Sequence, residues 1–197
     1  MHALRIGTNV AQELNDVSRP KRLSNCSYVG KSQYFLTFCT RERRPVFTEP
    51  TVVAEALAHI QRTAAEESFA VLAYCFMPDH VHLLVKGEKE TSDLRRFVKA
   101  SKERSGRTYR KRLGERLWQE GYFERVLRNP ADARECAEYI VNNPVRAGLV
   151  ANATEYKYTG ATAWTADELT NAALDNRVPR HAINAGPTKQ ARPTRVR

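Results

Sequence analysis

The feature that most constrains the fold is a tight turn between two apolar runs. Phe69-Ala70-Val71-Leu72-Ala73-Tyr74-Cys75-Phe76 is followed by Met77-Pro78-Asp79 and then by His80-Val81-His82-Leu83-Leu84-Val85. Both runs suit strands, and proline then aspartate at the central positions suits a type I turn. Successive side chains of a strand point to opposite faces, so Val81, Leu83 and Val85 share one face and His80 and His82 the other. Two imidazoles separated by two strand rises, roughly 7 Å at Cα, can converge on one metal ion or one phosphate. A His-X-His pair also has a plainer reading, as surface or hydrogen-bonded histidines, and the pair alone does not choose.

The other elements are read from periodicity. Tyr34-Phe35-Leu36-Thr37-Phe38-Cys39 reads as a strand, followed by the charged loop Arg41-Glu42-Arg43-Arg44-Pro45. Residues 51–67 place Val52, Val53, Ala56, Leu57, Ile60 and Ala64 at helical spacing, with Thr51 as a cap. Thr91-Ser92-Asp93 offers caps for a basic helix whose inner face is Leu94, Phe97, Val98 and Ser101, and Ser105-Gly106 and Leu113-Gly114 punctuate the segment beyond it. Residues 117–127 read as a strand with a bulge at Gly121, and residues 131–143 as a helix ended by Pro144. After Tyr158 the pattern fades. The order βαββαβ plus a helix predicts an α+β fold: a ferredoxin-like sandwich, an antiparallel sheet with two helices on one face. The histidines then face the open side, where the extra helix can reach them. Three segments are expected: a basic N-terminal arm over residues 1–30 (or a short helix at 10–17), a domain over 31–160, and a basic, disordered tail over 161–197.

Charge is concentrated. The chain of 197 residues carries a formal +10, and residues 95–116 alone hold ten Lys/Arg against Glu103 and Glu115. Six more Lys/Arg and no acid lie from Arg177 onward, so the rest of the chain is slightly acidic. Such a patch favours a polyanionic partner. Arg95, Arg96, Lys99, Lys102, Arg107, Arg110, Lys111 and Arg112 are the candidate DNA-binding residues, tracking phosphates, with Tyr109 and Trp118 available to stack on unpaired bases. The four cysteines, Cys26, Cys39, Cys75 and Cys136, form no C-x-x-C pair, which disfavours structural zinc and fits reduced core thiols. No apolar run approaches the roughly 18 residues of a membrane span, and a cytoplasmic protein is expected.

In Ala137-Glu138-Tyr139-Ile140-Val141-Asn142-Asn143-Pro144, Tyr139 and Asn143 are one turn apart on one helix face. A phenol becomes a useful nucleophile when its phenolate is stabilised, and an amide oxygen can join two imidazoles around Mg²⁺ or Mn²⁺. The plainer reading makes Tyr139 a core residue and Asn143 a helix-terminal polar group. Tyr122 is the alternative nucleophile. Asp79, Glu135 and Glu138 are candidates to orient an imidazole or the tyrosine.

MPDHVHLLV, WQEGYFERVLR and YIVNNPVRAGLV, in this order and spacing over about residues 32–150, resemble the REP-associated tyrosine transposases of the single-tyrosine HUH superfamily. The resemblance implies His80 and His82 as metal ligands, Asn143 as the third, and Tyr139 as the catalytic nucleophile. It further implies Mg²⁺ or Mn²⁺ as cofactor and single-stranded or hairpin DNA as partner. The implied reaction nicks and rejoins palindromic DNA through a 5′-phosphotyrosine link, with a short tetranucleotide read in part by the N-terminal region. A monomer is implied rather than the helix-exchanging dimer of related insertion-sequence enzymes. The alternative in another class is a non-catalytic module that binds structured nucleic acid.

Overall fold

The computed structural model describes residues 28–165 together with 168 and 169. Its elements are β1 (Gln33–Cys39), α1 (Pro50–Glu66), β2 (Phe69–Met77), β3 (His80–Gly87), α2 (Leu94–Leu113), β4 (Phe123–Leu127), α3 (Pro130–Arg146) and β5 (Thr159–Ala161). The sheet order is β4-β1-β3-β2-β5, with every neighbouring pair antiparallel. The first four strands and two helices form the expected ferredoxin-like sandwich. The expected helix at 10–17, Cys26, and the N-terminal arm and tail apart from residues 28–30, 161–165, 168 and 169 lie outside the described residues.

Strand alternation divides the core in two. Tyr34, Leu36, Phe38, Phe76, Val81, Leu83 and Val85 pack against Val52, Ala56 and Ile60 of α1 and Leu94, Phe97 and Val98 of α2. Phe35, Ala73, Cys75, Met77 and Leu84 face the other way, onto Ala133, Cys136, Ala137 and Ile140 of α3. A register shift between Val71 and Ala73 keeps Phe69 and Val71 in the same layer as Tyr74 and Phe76. Burial pushes the Cys75 thiol up to about 12 and raises Cys136 further, so both are inert at neutral pH.

Several boundaries differ from expectation for identifiable reasons. α1 starts at Pro50 with Glu49 before it, so Thr51 is not the cap; proline at the first helical position lacks only an N–H that would have no partner. Asp93 does cap α2, accepting from the Arg95 and Arg96 amides at 2.8 and 3.3 Å. α2 then runs through Gly106 to Leu113, because Gly106 is packed, not turned: a Cβ there would lie 3.4 Å from the Trp118 ring. Trp118 also donates from Nε1 to Ser105 Oγ at 2.9 Å. That tryptophan explains the shorter β4. It folds over Phe38 and Phe47 and makes only an isolated bridge to Thr40, and Gly121 turns at φ 74° before pairing begins at Phe123. α3 continues past Pro144 to Arg146; in the last turn a missing N–H forfeits one bond, and the Ala147 amide still reaches Asn143 O. β5, only three residues long, is too short to leave a period. Leu169 beyond it is fully buried against the α3 layer.

Candidate active site

β3 lies between β1 and β2, and its face toward α3 presents both histidines. Their Nε2 atoms are 3.0 Å apart. Each Nδ1 has its own partner: Asp79 Oδ1 at 2.6 Å from His80, and Thr37 Oγ1, across the strand pair on β1, at 2.9 Å from His82. A carboxylate only accepts, so His80 Nδ1 carries a proton and, in the neutral ring, Nε2 offers its lone pair. His82 stacks on Phe35 with ring centres 5.3 Å apart and is 4% exposed. Burial above all, then the charges of His80 and Arg43, holds its pKa well below the ordinary imidazole value, so it stays neutral. Two nitrogens about 3 Å apart match neighbouring ligands of an octahedral ion with bonds of about 2.1 Å, and the pair fits a divalent cation. Among the described residues no cluster of three or more His, Cys, Asp or Glu could hold one.

α3 supplies that neighbourhood. Asn129 caps it and Pro130 opens it, and its apolar stripe onto β2 sets its rotation. Tyr139 is thereby placed with its ring 5.8 Å from that of His82 and 6.1 Å from that of Phe35. Burial raises the phenol pKa; the Asn143 amide and the Arg146 guanidinium pull the other way by favouring the phenolate, and Cys136 adds to the rise. Arg146 stands 4.9 Å from the Tyr139 ring centre. Asn143 Nδ2 is enclosed without an acceptor in hydrogen-bond geometry, in an amide close enough to the phenol to influence its ionisation. Tyr139, Asn143 and Arg146 occupy successive turns of one helix stripe.

Tyr122 is not brought to this place. It packs on Phe38, 6.2 Å between ring centres, in the α1/α2 layer across the sheet from the histidines. Glu138 pairs with Arg134 at 3.0 Å on the outer side of α3, and Glu135 is exposed, so Asp79 is the carboxylate that orients an imidazole. Thr37, Arg43 and Arg146 escape sequence reasoning. Arg146 alone leaves a signal, its seven-residue spacing from Tyr139.

The basic helix lies on the far face of the sheet. Arg95 covers the Tyr28 ring at 4.4 Å, Arg96 pairs with Glu67 at 3.2 Å, Lys99 with Glu103 at 4.0 Å and Arg112 with Glu55 at 3.0 Å. Lys102 turns inward to the carbonyls of Gln119 and Gly121. Arg107, Arg110 and Lys111 are exposed and have no carboxylate partner among the described residues. Arg110 also lines an open cleft of about 380 Å³ with Arg41, Arg44 and Arg116, tempered by Glu42 and Glu115.

Known proteins resemble this chain in sequence and in fold. The family model described as "Transposase IS200 like" matches residues 28–143. The REP-associated tyrosine transposase of Escherichia coli (strain K12) is 25% identical over 138 residues, 67% of this chain and 78% of that protein. The ISDra2 transposase TnpA of Deinococcus radiodurans is 36% identical over 95 residues, 46% of this chain and 66% of that one. A solved REP-associated tyrosine transposase bound to a REP hairpin has the same fold, with a TM-score of 0.60 at 22% identity over 73% of this chain and 82% of that chain. With more than half its length matched by the family model, this chain belongs to the IS200-like transposases, enzymes of the HUH single-tyrosine type.

Proposed function

We propose that the protein is a metal-dependent transesterase that nicks and rejoins single-stranded, hairpin-forming DNA of the REP type. The observation that carries the reading is the Tyr139 ring centre held 5.8 Å from that of His82, whose Nε2 lies 3.0 Å from that of His80. The Tyr139 oxygen, its proton lost, forms a bond to phosphorus. The bond from phosphorus to the 3′ oxygen of the preceding nucleotide breaks, and that oxygen leaves as a 3′-OH, so the DNA is held as a 5′-phosphotyrosine. A 3′-OH attacking the same phosphorus reverses the step and regenerates the phenol. Mg²⁺ or Mn²⁺ held by His80, His82 and Asn143 would supply Lewis-acid polarisation of the phosphate. The chain's own groups do the rest: Asn143 and Arg146 favour the phenolate, and Asp79 and Thr37 orient the imidazoles.

Phosphate contacts are assigned first to Arg107, Arg110 and Lys111, since the other candidates on α2 are engaged within the protein. The catalytic unit is residues 31–160, flanked by a basic arm and a basic tail, in a monomer that works in the cytoplasm. Among the described residues no helix is long and apolar enough to cross a membrane.

The test is a labelled hairpin with single-stranded flanks, incubated with Mg²⁺ or Mn²⁺ and resolved under denaturing conditions. Wild type forms a covalent adduct, and Tyr139→Phe forms none yet binds the hairpin with unchanged affinity. Binding by wild type without any adduct, with either ion, leaves the non-catalytic binding module as the correct reading. An adduct retained in Tyr139→Phe and lost in Tyr122→Phe moves the nucleophile.

A further inference from the structure

The loop that leaves β1 is the least relaxed backbone near the site. Glu42 and Arg43 are consecutive non-glycine residues at φ 56°, in the left-handed region that side chains disfavour, so surrounding contacts must hold them there. Those contacts converge on the turn between β2 and β3. The Thr40 amide donates to Asp79 O at 2.9 Å, Thr40 Oγ1 lies 2.9 Å from the same oxygen, and the Phe47 amide donates to Pro78 O at 3.0 Å. The loop is thus fastened to the turn by its backbone on both sides of Arg43. Within that frame Arg43 Nε reaches Asp79 Oδ2 at 2.8 Å, and its Nη1 lies 2.9 Å from Cys39 Sγ. Asp79 Oδ1 is the atom that holds His80 Nδ1.

We infer that Arg43 is a positioning residue: by binding one carboxylate oxygen of Asp79 it fixes the other on His80 Nδ1, so that His80 Nε2 stays aimed at the point His82 Nε2 also addresses. This rests on the reading of the two histidines as ligands of a divalent cation. A carboxylate bound only to an imidazole can rotate about its own bond to Cβ and release the ring. A carboxylate bound at both oxygens, on one side to a guanidinium set in a fastened loop, cannot rotate without breaking a charged contact. The strained conformation acquires a role in this arrangement, since it brings the Arg43 side chain back over the strand end it has just left.

Two readouts test this on the full-length protein: Mn²⁺ affinity, followed by electron paramagnetic resonance, and the imidazole tautomer of His80 in metal-free protein, followed by ¹⁵N-resolved NMR. Arg43→Ala is expected to weaken Mn²⁺ binding about tenfold, the lower end of what losing an outer partner of a metal ligand costs. It is also expected to convert His80 from one Nδ1–H form to a mixture, with circular dichroism unchanged. Arg43→Lys restores the charge at a single point and recovers part of both signals. It also serves where the alanine variant fails to fold. A folded Arg43→Ala protein that keeps both the wild-type tautomer and the wild-type Mn²⁺ affinity overturns the inference. If wild type binds neither Mn²⁺ nor Mg²⁺, the metal reading fails by itself, and the tautomer measurement still decides the role of Arg43.

Discussion

Replacing Lys102 by methionine separates a structural cation from a DNA-binding one. Its spacing on α2 points to a phosphate contact, yet Nζ donates to Gln119 O at 2.8 Å and to Gly121 O, 5.7 Å from the Phe38 ring centre. Burial holds its pKa down to about 8, against the opposing influence of Cys39 and Glu120. The unfolded chain keeps the ordinary lysine value of about 10.4. Between these values the unfolded state holds a proton that the folded state has shed. The Lys102 contribution is therefore fully present above the unfolded value and is lost as pH falls through about 8. From pH 7 to 9.5 this amounts to about 2 kcal/mol at 1.36 kcal/mol per pKa unit, reduced to about 1–2 kcal/mol by partial exposure. Methionine keeps the stem and has no proton to exchange. Urea unfolding followed by tryptophan fluorescence, at both pH values, should show wild type gaining about 1–2 kcal/mol on Lys102→Met as pH rises. A constant difference, or one that changes the other way, refutes the argument. DNA gives an independent check. The slope of log K against log salt should be unchanged in Lys102→Met, whereas Lys111→Met should reduce it by about 0.7–0.9, one phosphate contact.

Packing and the site set three other outcomes. Gly106→Ala should stabilise the fold by about 0.5–1 kcal/mol, seen as a rise of a few degrees in Tm, because its Cβ meets the Trp118 ring at ordinary contact distance while the helix gains propensity. Gly87→Ala should cost about 2–4 kcal/mol in urea unfolding, since its Cβ would lie 2.1 Å from the backbone oxygen of Gly30. Thr37→Val removes the Nδ1 partner of a buried imidazole and should weaken Mn²⁺ binding about tenfold, with recovery in Thr37→Ser; equal affinity in all three proteins would remove Thr37 from the site.

Local repetition is what the sequence makes legible. Alternation in β3 puts His80 and His82 opposite Val81, Leu83 and Val85, and helical spacing puts Tyr139 and Asn143 on one face. Expectation and structure part where one distant side chain overrides a local preference. Gly106 looks like a break until Trp118, twelve residues on, is found lying against it. The same tryptophan occupies what would be the start of β4 and binds the core instead. Thr37 and Arg43 are illegible for another reason. Neither has a pattern of its own, and each acquires a role only through pairings across β1 and the turn before β3, which no periodicity records.

The division of the sheet also explains why the site needs so few dedicated contacts. A slip of β3 by one residue would exchange its two faces, sending Val81, Leu83 and Val85 toward α3 and the histidines into the α1/α2 core. All three apolar residues are fully buried against α1 and α2, so that slip would undo their packing there and bury two imidazoles among apolar side chains. The register that converges the Nε2 atoms is therefore enforced by the opposite face, with the strength of the global fold. What the fold does not enforce is rotation of each ring about its own bonds, and there the local partners act: Asp79 with Arg43 behind it for His80, and Thr37 with Phe35 for His82. The two histidines consequently differ in kind. His80 is held by a charged chain that runs to the loop beside the basic cleft. His82 is held by a neutral hydroxyl, able to donate or accept, in a buried apolar setting. Changes in the β1–α1 loop should therefore alter the orientation of His80 and leave that of His82, set by Thr37 and Phe35 of β1, in place.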